Sequence, residues 1–420
     1  MKINTFRAFR NSNYRLYFSG QAISLIGTWM QRTAIYWVIY EQTNSNFMLG
    51  LVVFATQFPS FLFSPWGGVV TDRYNRYHLT LITQTALLVQ AGLLASLVTF
   101  TQYTVWGIIV LGIIQGIINA FDLPARQSLV NEIIDNKENL PNAIALNSSI
   151  GKLAWLIGPA VAGLVLEKLG AGTCFFINAL SYLAVIISLS FIKIKPYIPE
   201  RRSKNTLEEI KEGFKYIIDT PSLGTVILLL ACVSLFVLPF NTLLPVFAKL
   251  IFKGNAATYG YLNSFIGAGA LLGAVILASL KNNVNLIRIL LSSLFILGIA
   301  LIIFSHMDIF PVALFFAALA GFAMMFQTTV SNTIIQIEAS AEMRGRVLSI
   351  FAMAFFGLQP IGGLMLGSIS QVIGAPDAIL FQGFAAIIIT VLFLYFLRKR
   401  RLKSENRRTV LTDNRSNSIQ

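Results

Sequence analysis

The chain has few charged residues. Of its 420 residues only 12% are charged, whereas 55% are hydrophobic, and the mean hydropathy is +0.70. Charged residues make up about a quarter of an ordinary soluble domain, so this composition excludes one. We therefore predict an all-α polytopic protein that lies in a lipid bilayer.

Cysteine and histidine are also scarce, with two residues of each. Cys174 and Cys232 fall in apolar segments and make no disulfide framework. His78 and His306 fall near opposite ends of the predicted spans. No H-E-x-x-H, G-x-S-x-G or G-x-x-x-x-G-K-[ST] sequence occurs, which argues against a metalloprotease, a serine hydrolase and a nucleotide-driven pump. We expect no enzyme activity, no metal and no cofactor.

Long apolar runs occupy most of the chain. A helix needs about 20 residues to cross a bilayer, and twelve runs reach that length. We predict 12 transmembrane helices in two six-helix halves around a central cavity. The predicted spans are 16–40, 46–70, 78–100, 103–125, 143–166, 171–192, 222–248, 257–280, 286–305, 309–335, 346–372 and 376–397.

Acidic residues are fewer than basic ones, 18 against 32. If both chain ends are cytoplasmic, 27 of the 32 basic residues lie on the cytoplasmic side. Short basic loops resist translocation, so we predict a multi-pass protein of the bacterial inner (plasma) membrane with both termini cytoplasmic. The net charge of +14 then reflects topology, and we expect no nucleic-acid partner.

One connection is long enough to separate two halves. It holds Thr206 and Glu209, spaced as a capping box, and then an apolar stripe that predicts an amphipathic helix on the inner membrane surface. The stripe consists of Leu207, Ile210, Phe214, Ile217 and Ile218. The predicted divisions are an N-terminal half, a linker, a C-terminal half and a basic tail, at 1–193, 194–221, 222–397 and 398–420.

Polar residues recur at helical spacing on the first, fourth, seventh and tenth spans. Polar groups are costly in a bilayer, so ordered stripes favour a water-accessible cavity lined by these four helices. Hydrogen bonding in a dry core is the alternative. The predicted cavity residues, two of them on the fifth span, are Gln21, Ser24, Thr28, Arg32, Gln115, Asn119, Lys152, Trp155, Asn241, Gln327 and Asn332.

Two of these cavity residues are basic. Arg32 lies about 24 Å along the first helix from Leu16, at about 1.5 Å per residue. It either faces the cavity as a fixed positive charge or reaches the outer headgroups. Lys152 shares a helix face with Trp155 and is either a cavity group or one member of a structural pair. The two cations suit an anionic or zwitterionic ligand, whereas the 33 phenylalanines would suit a large apolar one.

The run from Gly68 to Arg76 connects the second and third spans. Gly68 is expected to let two helices approach closely, and Asp72 to face a helix N-terminus or an arginine. An acid beside two arginines favours a conformational latch over a simple topology anchor. Two residues of the fourth span are predicted as its partners, with an isolated ion pair as the alternative. The predicted latch residues are Gly68, Asp72, Arg73, Arg76, Asp122 and Arg126.

The same run resembles the G-x-x-x-D-[R/K]-x-G-[R/K] signature of the major facilitator superfamily. Asn75 replaces the usual glycine and tolerates the same left-handed backbone. The stretches 27–32, 124–127 and 141–149 resemble the transmembrane secretion effector family, the branch that includes the enterobactin exporter. The resemblance implies a secondary transporter that exports a siderophore-like, drug-like or other small organic molecule by alternating access. As a separate expectation, we predict a monomer.

A proline followed by small residues occurs on the fifth and eleventh spans and is similar to the G-P-x-x-G-G sequence of antiporters in the superfamily. The predicted helix-packing residues are Gly158, Pro159, Gly163, Pro360, Gly362 and Gly363. Many proton-coupled relatives carry an arginine on the fourth span where this chain has Gly112. The sequence leaves proton antiport open, and it also allows a uniporter or importer, or a membrane sensor that does not transport.

Overall fold

The computed structural model describes residues 6–101, 104–134, 136–192, 206–280 and 284–417, without the side chains of 206–210 and 400–417. Within these ranges the chain is helical and contains no strand. Its main helices are α1 Ser12–Thr43, α2 Asn46–Arg73, α3 Arg76–Phe100, α4 Val105–Ile133, α5 Leu140–Leu169, α6 Ala171–Ser190, α7 Thr206–Asp219, α8 Pro221–Ile251, α9 Ala256–Ala278, α10 Leu286–Ser305, α11 Phe310–Glu338, α12 Arg344–Ile373 and α13 Ala375–Asn417.

Eleven helices of the described ranges, α2 to α6 and α8 to α13, are long and apolar enough to cross a membrane. The twelfth is α1, which has 32 residues and packs against α5 and α6. Its apolar character is diluted by polar residues, among them Gln21, Gln31 and Arg32. The prediction of twelve membrane helices is confirmed.

Two of these helices are irregular near their prolines. After Phe236 the chain of α8 tightens to 3₁₀ geometry at Leu238–Leu243 and widens to a π-helix at Phe247–Ile251. Pro239 and Pro245 predicted this distortion, because proline lacks the amide hydrogen that a helix requires. In α12 a π-helix at Met353–Gly357 similarly precedes a proline.

The helices pack in two groups of six. In the first, α1 contacts α5 and α6, α2 contacts α4, and α3 contacts α4 and α6. In the second, α9 contacts α11, and α10 contacts α11 and α13. The main contacts between the groups are α5 with α9 and α2 with α12. This is the predicted fold of two six-helix halves.

Glycines permit the close contacts between the halves. A Cβ on Gly260 of α9 would lie 2.4 Å from the carbonyl oxygen of Pro159 on α5. A Cβ on Gly163 would lie 2.7 Å from the carbonyl oxygen of Ala256. Such distances are too short for any side chain, so α5 and α9 touch backbone to backbone. Elsewhere, the glycines at 158, 362 and 363 also lie at helix contacts.

The two ends of the bundle differ. We call the end that carries Arg73, Arg76 and Arg346 the basic end, and the other the opposite end. In α5, the segment towards the basic end buries only Ala143, whereas seven residues are buried from Ala154 onwards. The buried residues of α9 likewise stop at position 273, short of the basic end. The halves therefore meet at the opposite end and separate towards the basic end.

Hydrogen bonds join the halves at the opposite end. Asn46 donates to the carbonyl oxygen of Ser370 at 3.0 Å. The Lys249 ammonium donates to the side chain of Asn44 at 3.0 Å. The rings of Trp37 and Tyr259 stack nearby. These contacts must break before a path through the molecule can open there.

The linker helix α7 begins at Thr206, where the sequence predicts a helix. Ile217 of the predicted stripe is buried, whereas Phe214 and Ile218 are exposed. The capping box and the first two stripe positions, 207 and 210, lie outside the described side chains. The linker residues from 194 to 205 are outside the described ranges altogether.

Candidate functional site

Two tryptophans stack where α1 crosses α5. The rings of Trp29 and Trp155 have centroids 5.3 Å apart and planes inclined by 7°. The Arg32 guanidinium lies 5.2 Å from the centroid of the Trp29 ring, and the Lys152 ammonium lies 5.8 Å from that of Trp155. Each indole therefore carries a cation within the range of cation–π attraction. We call these four residues the tryptophan cluster.

The helical repeat produces this arrangement. Arg32 follows Trp29 by three residues, and Trp155 follows Lys152 by three, so each cation and its indole share a helix face. Gly158 allows the two helices to approach, since a Cβ there would lie 2.5 Å from the Cβ of Trp29. A side chain at that position would separate the two indoles.

Polar side chains from two more helices complete the site. Arg32 donates from Nε to the hydroxyl of Tyr36 at 3.3 Å, and Gln57 of α2 donates to the same hydroxyl at 3.1 Å. The indole nitrogen of Trp155 donates to Asn263 of α9 at 3.3 Å. The site thus draws on both halves. Sequence reasoning missed Tyr36, Gln57 and Asn263, although Asn263 carries the detectable signal of an amide within an apolar span.

The cluster lies at the middle of the bundle, where the halves begin to separate. Trp155 is only 9% exposed and the Arg32 and Lys152 side chains are half-buried. Beyond Lys152, the face of α5 that includes Ser148 and Ser149 is exposed towards the basic end. A ligand could reach the tryptophan cluster from the basic end, while the contacts at the opposite end block the other side.

The acid of the fourth span forms an ion pair within the first half. Asp122 is fully buried, and its carboxylate lies 2.6 Å from Nε of Arg126. Thr83 and Gln84 of α3 donate to the other carboxylate oxygen at 2.7 and 2.8 Å. Arg126 also donates to Gln21 of α1 at 2.6 Å. These groups tie α1, α3 and α4 together.

This network places Asp122 and Arg126 in a pair within the first half, while their role as partners of Asp72 stays a prediction. The structure agrees better with the alternative of a local ion pair, although this pair belongs to a larger hydrogen-bonded network. The reason is that α3 supplies two donors to the acid, and a buried charge is stable only when it is paired and hydrogen-bonded. The sequence revealed the pair through its i, i+4 spacing but not its partners on α3.

Two expectations about the run from Gly68 to Arg76 are wrong. A Cβ on Gly68 would meet no atom within 4 Å, whereas a Cβ on Gly67 would lie 2.0 Å from the carbonyl oxygen of Ala120. The close approach of α2 to α4 is therefore made one residue earlier. Asn75 has φ of −61° rather than a left-handed backbone, and its side chain caps α3 by accepting from the amides of residues 77 and 78. This role favours asparagine over glycine.

The second arginine of that run has a partner that was not predicted. Arg76 at the start of α3 pairs with Glu132 near the end of α4, with 2.7 Å between the charged atoms. Both side chains are partly exposed at the basic end. The pair joins two helices of the same half, so it stabilises that half wherever the halves stand relative to each other.

Several other predicted cavity residues bond within one half. Gln327 is fully buried and donates to the carbonyl oxygen of Leu290 at 2.6 Å and to Ser293 at 3.0 Å. Its placement in the cavity is wrong. Thr28 lies 3.2 Å from the hydroxyl of Tyr182 on α6. For these positions, and for Gln21, the alternative of a dry hydrogen-bonded core is the better description.

The remaining predicted cavity residues occupy mixed positions. Ser24 and Gln115 are buried, and Asn119 and Asn241 are half-buried. Asn332 accepts from Gln336 one turn further along α11. Sequence reasoning also missed a buried chain of amides in which Asn178 donates to Gln31 and Gln31 donates to Gln90. This chain links α1, α3 and α6.

A separate cavity of about 550 Å³ opens near the opposite end. Trp37, Glu41, Glu167 and Asn255 contribute to its walls, so both halves line it. None of the four residues of the tryptophan cluster does. Within the described ranges no group of histidine, cysteine and acidic residues is placed to hold a metal ion.

Comparison with known proteins identifies the family. A sequence profile described as transmembrane secretion effector matches residues 3–416. The chain belongs to the transmembrane secretion effector family. It is similar to the staphyloferrin A transporter of Staphylococcus aureus, with 27% identity over 93% of this chain and 98% of that protein. It is 25% identical to macrolide efflux protein A of Streptococcus pyogenes over 93% and 99% of the two chains. Identity to the enterobactin exporter of Escherichia coli is 24% over 92% of each.

Solved structures agree on the fold. Nucleoside transporter NupG matches with a TM-score of 0.69 and 15% identity, over 92% of this chain and 98% of that one. A bacterial homologue of the human lysosomal transporter Spinster, inward-facing and unoccupied, matches with a TM-score of 0.72 and 14% identity, over 91% and 96%. This family member is a multi-pass secondary transporter of the major facilitator type that exports small molecules, and it is not an enzyme.

Proposed function

We propose that this transporter exports acidic small molecules, which it loads from the cytoplasm at the tryptophan cluster. One observation supports the proposal above all. In the described part of the chain, neither Arg32 nor Lys152 forms an ion pair. Two half-buried positive charges without a counter-charge are costly in a membrane protein, and an acidic ligand would supply the missing negative charges.

The names of three relatives indicate two kinds of substrate. These are siderophores for the staphyloferrin A and enterobactin proteins, and macrolides for the efflux protein. The stacked indoles would suit a flat or apolar ligand of either kind. The cations on both sides of the indole pair favour an acidic ligand. We therefore place siderophore-like acids first and drug-like molecules second.

The direction of loading follows from orientation. We propose that the basic end is cytoplasmic, with both termini on that side of the bacterial inner membrane, because basic loops are retained inside. The molecule then faces inward, with its outer side closed. Residues 1–193 and 222–397 would rock as two bodies of a monomer around the tryptophan cluster, with no nucleic-acid partner. Release outside would require the Asn46 and Lys249 contacts to break.

We also propose that protons drive export by antiport, as in many superfamily members. Asp122 is the buried acid within a predicted polar stripe, and Arg126 is its ion-pair partner. A proton would bind Asp122 only if that pair separates during transport. An imposed pH gradient tests this part of the proposal without altering the rest.

The test is uptake into everted membrane vesicles, with a carboxylate siderophore, a catecholate siderophore and a macrolide as substrates. We expect uptake of an acidic compound that falls when the pH gradient is dissipated and falls again in Arg32→Gln and Lys152→Gln vesicles. Arg288→Gln, an exposed basic residue far from the cluster, is the matched control. Uptake of the macrolide alone, unaffected by either change in the cluster, would overturn the acidic substrate.

A further inference from the structure

The linker helix α7 presents two distinct faces. Ile217 is 6% exposed and packs inward, whereas Phe214 and Ile218 are 46% and 76% exposed. Lys211 and Lys215 are exposed as well. Positions 211, 214, 215 and 218 recur at i, i+3, i+4 and i+7, so two lysines and two apolar side chains share one face. We call this the lysine face.

The inner face of α7 is bound to the second half. Glu212 and Arg346, in the first turn of α12, form an ion pair with 2.5 Å between the charged atoms. The backbone amide of Ser340, just after α11, donates to the hydroxyl of Tyr216 at 3.2 Å. These contacts hold α7 level with the basic ends of two membrane helices.

The start of α8 also restricts how far α7 can lie from the basic end of the bundle. Only Thr220 separates α7 from α8, so the chain leaves the linker helix and enters the bundle directly. A Cβ on Gly224 of α8 would lie 3.1 Å from the carbonyl oxygen of Ile217, so the two helices touch. The lysine face therefore cannot lie far from the membrane surface.

We infer that the lysine face binds the anionic phospholipid surface of the cytoplasmic leaflet. The proposed orientation of the transporter, on which this inference rests, puts α7 on the leaflet that carries negative lipids. Lysines complement that charge, while Phe214 and Ile218 would enter the boundary between headgroups and acyl chains.

Lipid binding at this face would act on transport through α12. Arg346 joins α7 to the first turn of a helix that packs on α2 across the two halves. Anionic lipid that binds α7 to the membrane surface would therefore favour one position of the basic end of α12. Transport rate would then depend on the lipid composition of the leaflet, with Glu212 as the link.

Hydrogen exchange of the full-length protein in nanodiscs tests the lipid contact without any substrate. Discs of phosphatidylcholine are compared with discs of three parts phosphatidylcholine to one part phosphatidylglycerol. Each lysine near an anionic surface favours binding by about fivefold. We expect amides 211–219 to exchange on the order of tenfold more slowly in the anionic discs.

The variants separate the possible causes. Lys211→Gln with Lys215→Gln should abolish the lipid dependence, whereas Arg10→Gln with Arg288→Gln removes the same charge elsewhere on the basic end and should preserve it. Equal exchange in both lipids, or equal loss in the control variant, would overturn the inference. In the variant Glu212→Gln, hydrogen exchange in α7 should still depend on the lipid, whereas exchange of amides 344–350 in α12 should not. If exchange of amides 344–350 still depended on the lipid, the proposed link through Glu212 would be overturned.

Labelling separates this inference from the proposed export function. The variant Lys215→Cys should resist an impermeant maleimide added to intact cells and react with it in everted vesicles. Labelling from outside would overturn the placement of α7 on the cytoplasmic leaflet. Because neither labelling nor hydrogen exchange requires a substrate, a failed export assay would leave both results standing.

Discussion

Replacing Arg32 by glutamine should weaken the binding of acidic substrate far more than that of neutral substrate. Glutamine keeps an amide that can reach Tyr36, now 3.3 Å from Nε of the arginine, but removes the positive charge. A hydrogen bond to a charged group contributes about 1.5 to 3 kcal/mol. The dissociation constant of an acidic ligand should therefore rise about 10- to 100-fold.

Tryptophan fluorescence provides the assay, because Trp29 and Trp155 lie in the site itself. Titrations in nanodiscs would compare the unaltered protein with Arg32→Gln and Arg32→Lys, using an acidic siderophore and its methyl ester. Arg32→Lys should recover most of the affinity because it retains the charge. If Arg32→Gln binds the acid as tightly as the unaltered protein, or weakens the ester equally, the electrostatic reasoning is refuted.

Three other changes test the fold and the ion pairs. Gly260→Val should impair transport and reduce crosslinking between α5 and α9. The reason is that even a Cβ at this position would lie 2.4 Å from the Pro159 carbonyl oxygen. Undiminished transport would contradict the backbone contact between the two helices. Asp122→Ala should lower the free energy of unfolding by about 3 kcal/mol, since it leaves the partly buried Arg126 and the donors Thr83 and Gln84 without their acceptor; an unchanged thermal melt in detergent would contradict this. Asp72→Asn should slow vesicle uptake severely while membrane insertion, measured by fractionation, is preserved; normal uptake would remove Asp72 from the predicted latch.

Most of the fold could be predicted because apolar runs of membrane length have few alternative structures. The distortion of α8 was visible in Pro239 and Pro245. Among the twelve membrane helices, α1 is the least apolar, and it carries one of the four predicted polar stripes. In a bilayer, hydropathy and length therefore identify the helices. Polar residues that interrupt an apolar helix indicate where the structure or the function needs polar groups.

The site could be predicted only in part. Arg32, Lys152 and Trp155 were recognised because charges and a large ring stand out in apolar spans. Gln327 has a similar sequence context, yet it bonds to α10 and lies outside the cavity. Helical spacing shows which residues share a face of a helix, but a polar face can be satisfied by water or by a neighbouring helix.

The sequence by itself determined the membrane class, the number of spans, the family resemblance and which charged groups interrupt the apolar spans. Only the tertiary structure decided that Trp29 stacks on Trp155 between two cations, that Asp122 belongs to a buried network on α3, and that the bundle is closed at the opposite end. The physical reason is distance along the chain. Local periodicity governs each helix, whereas these contacts join residues from separate helices and depend on how the helices pack.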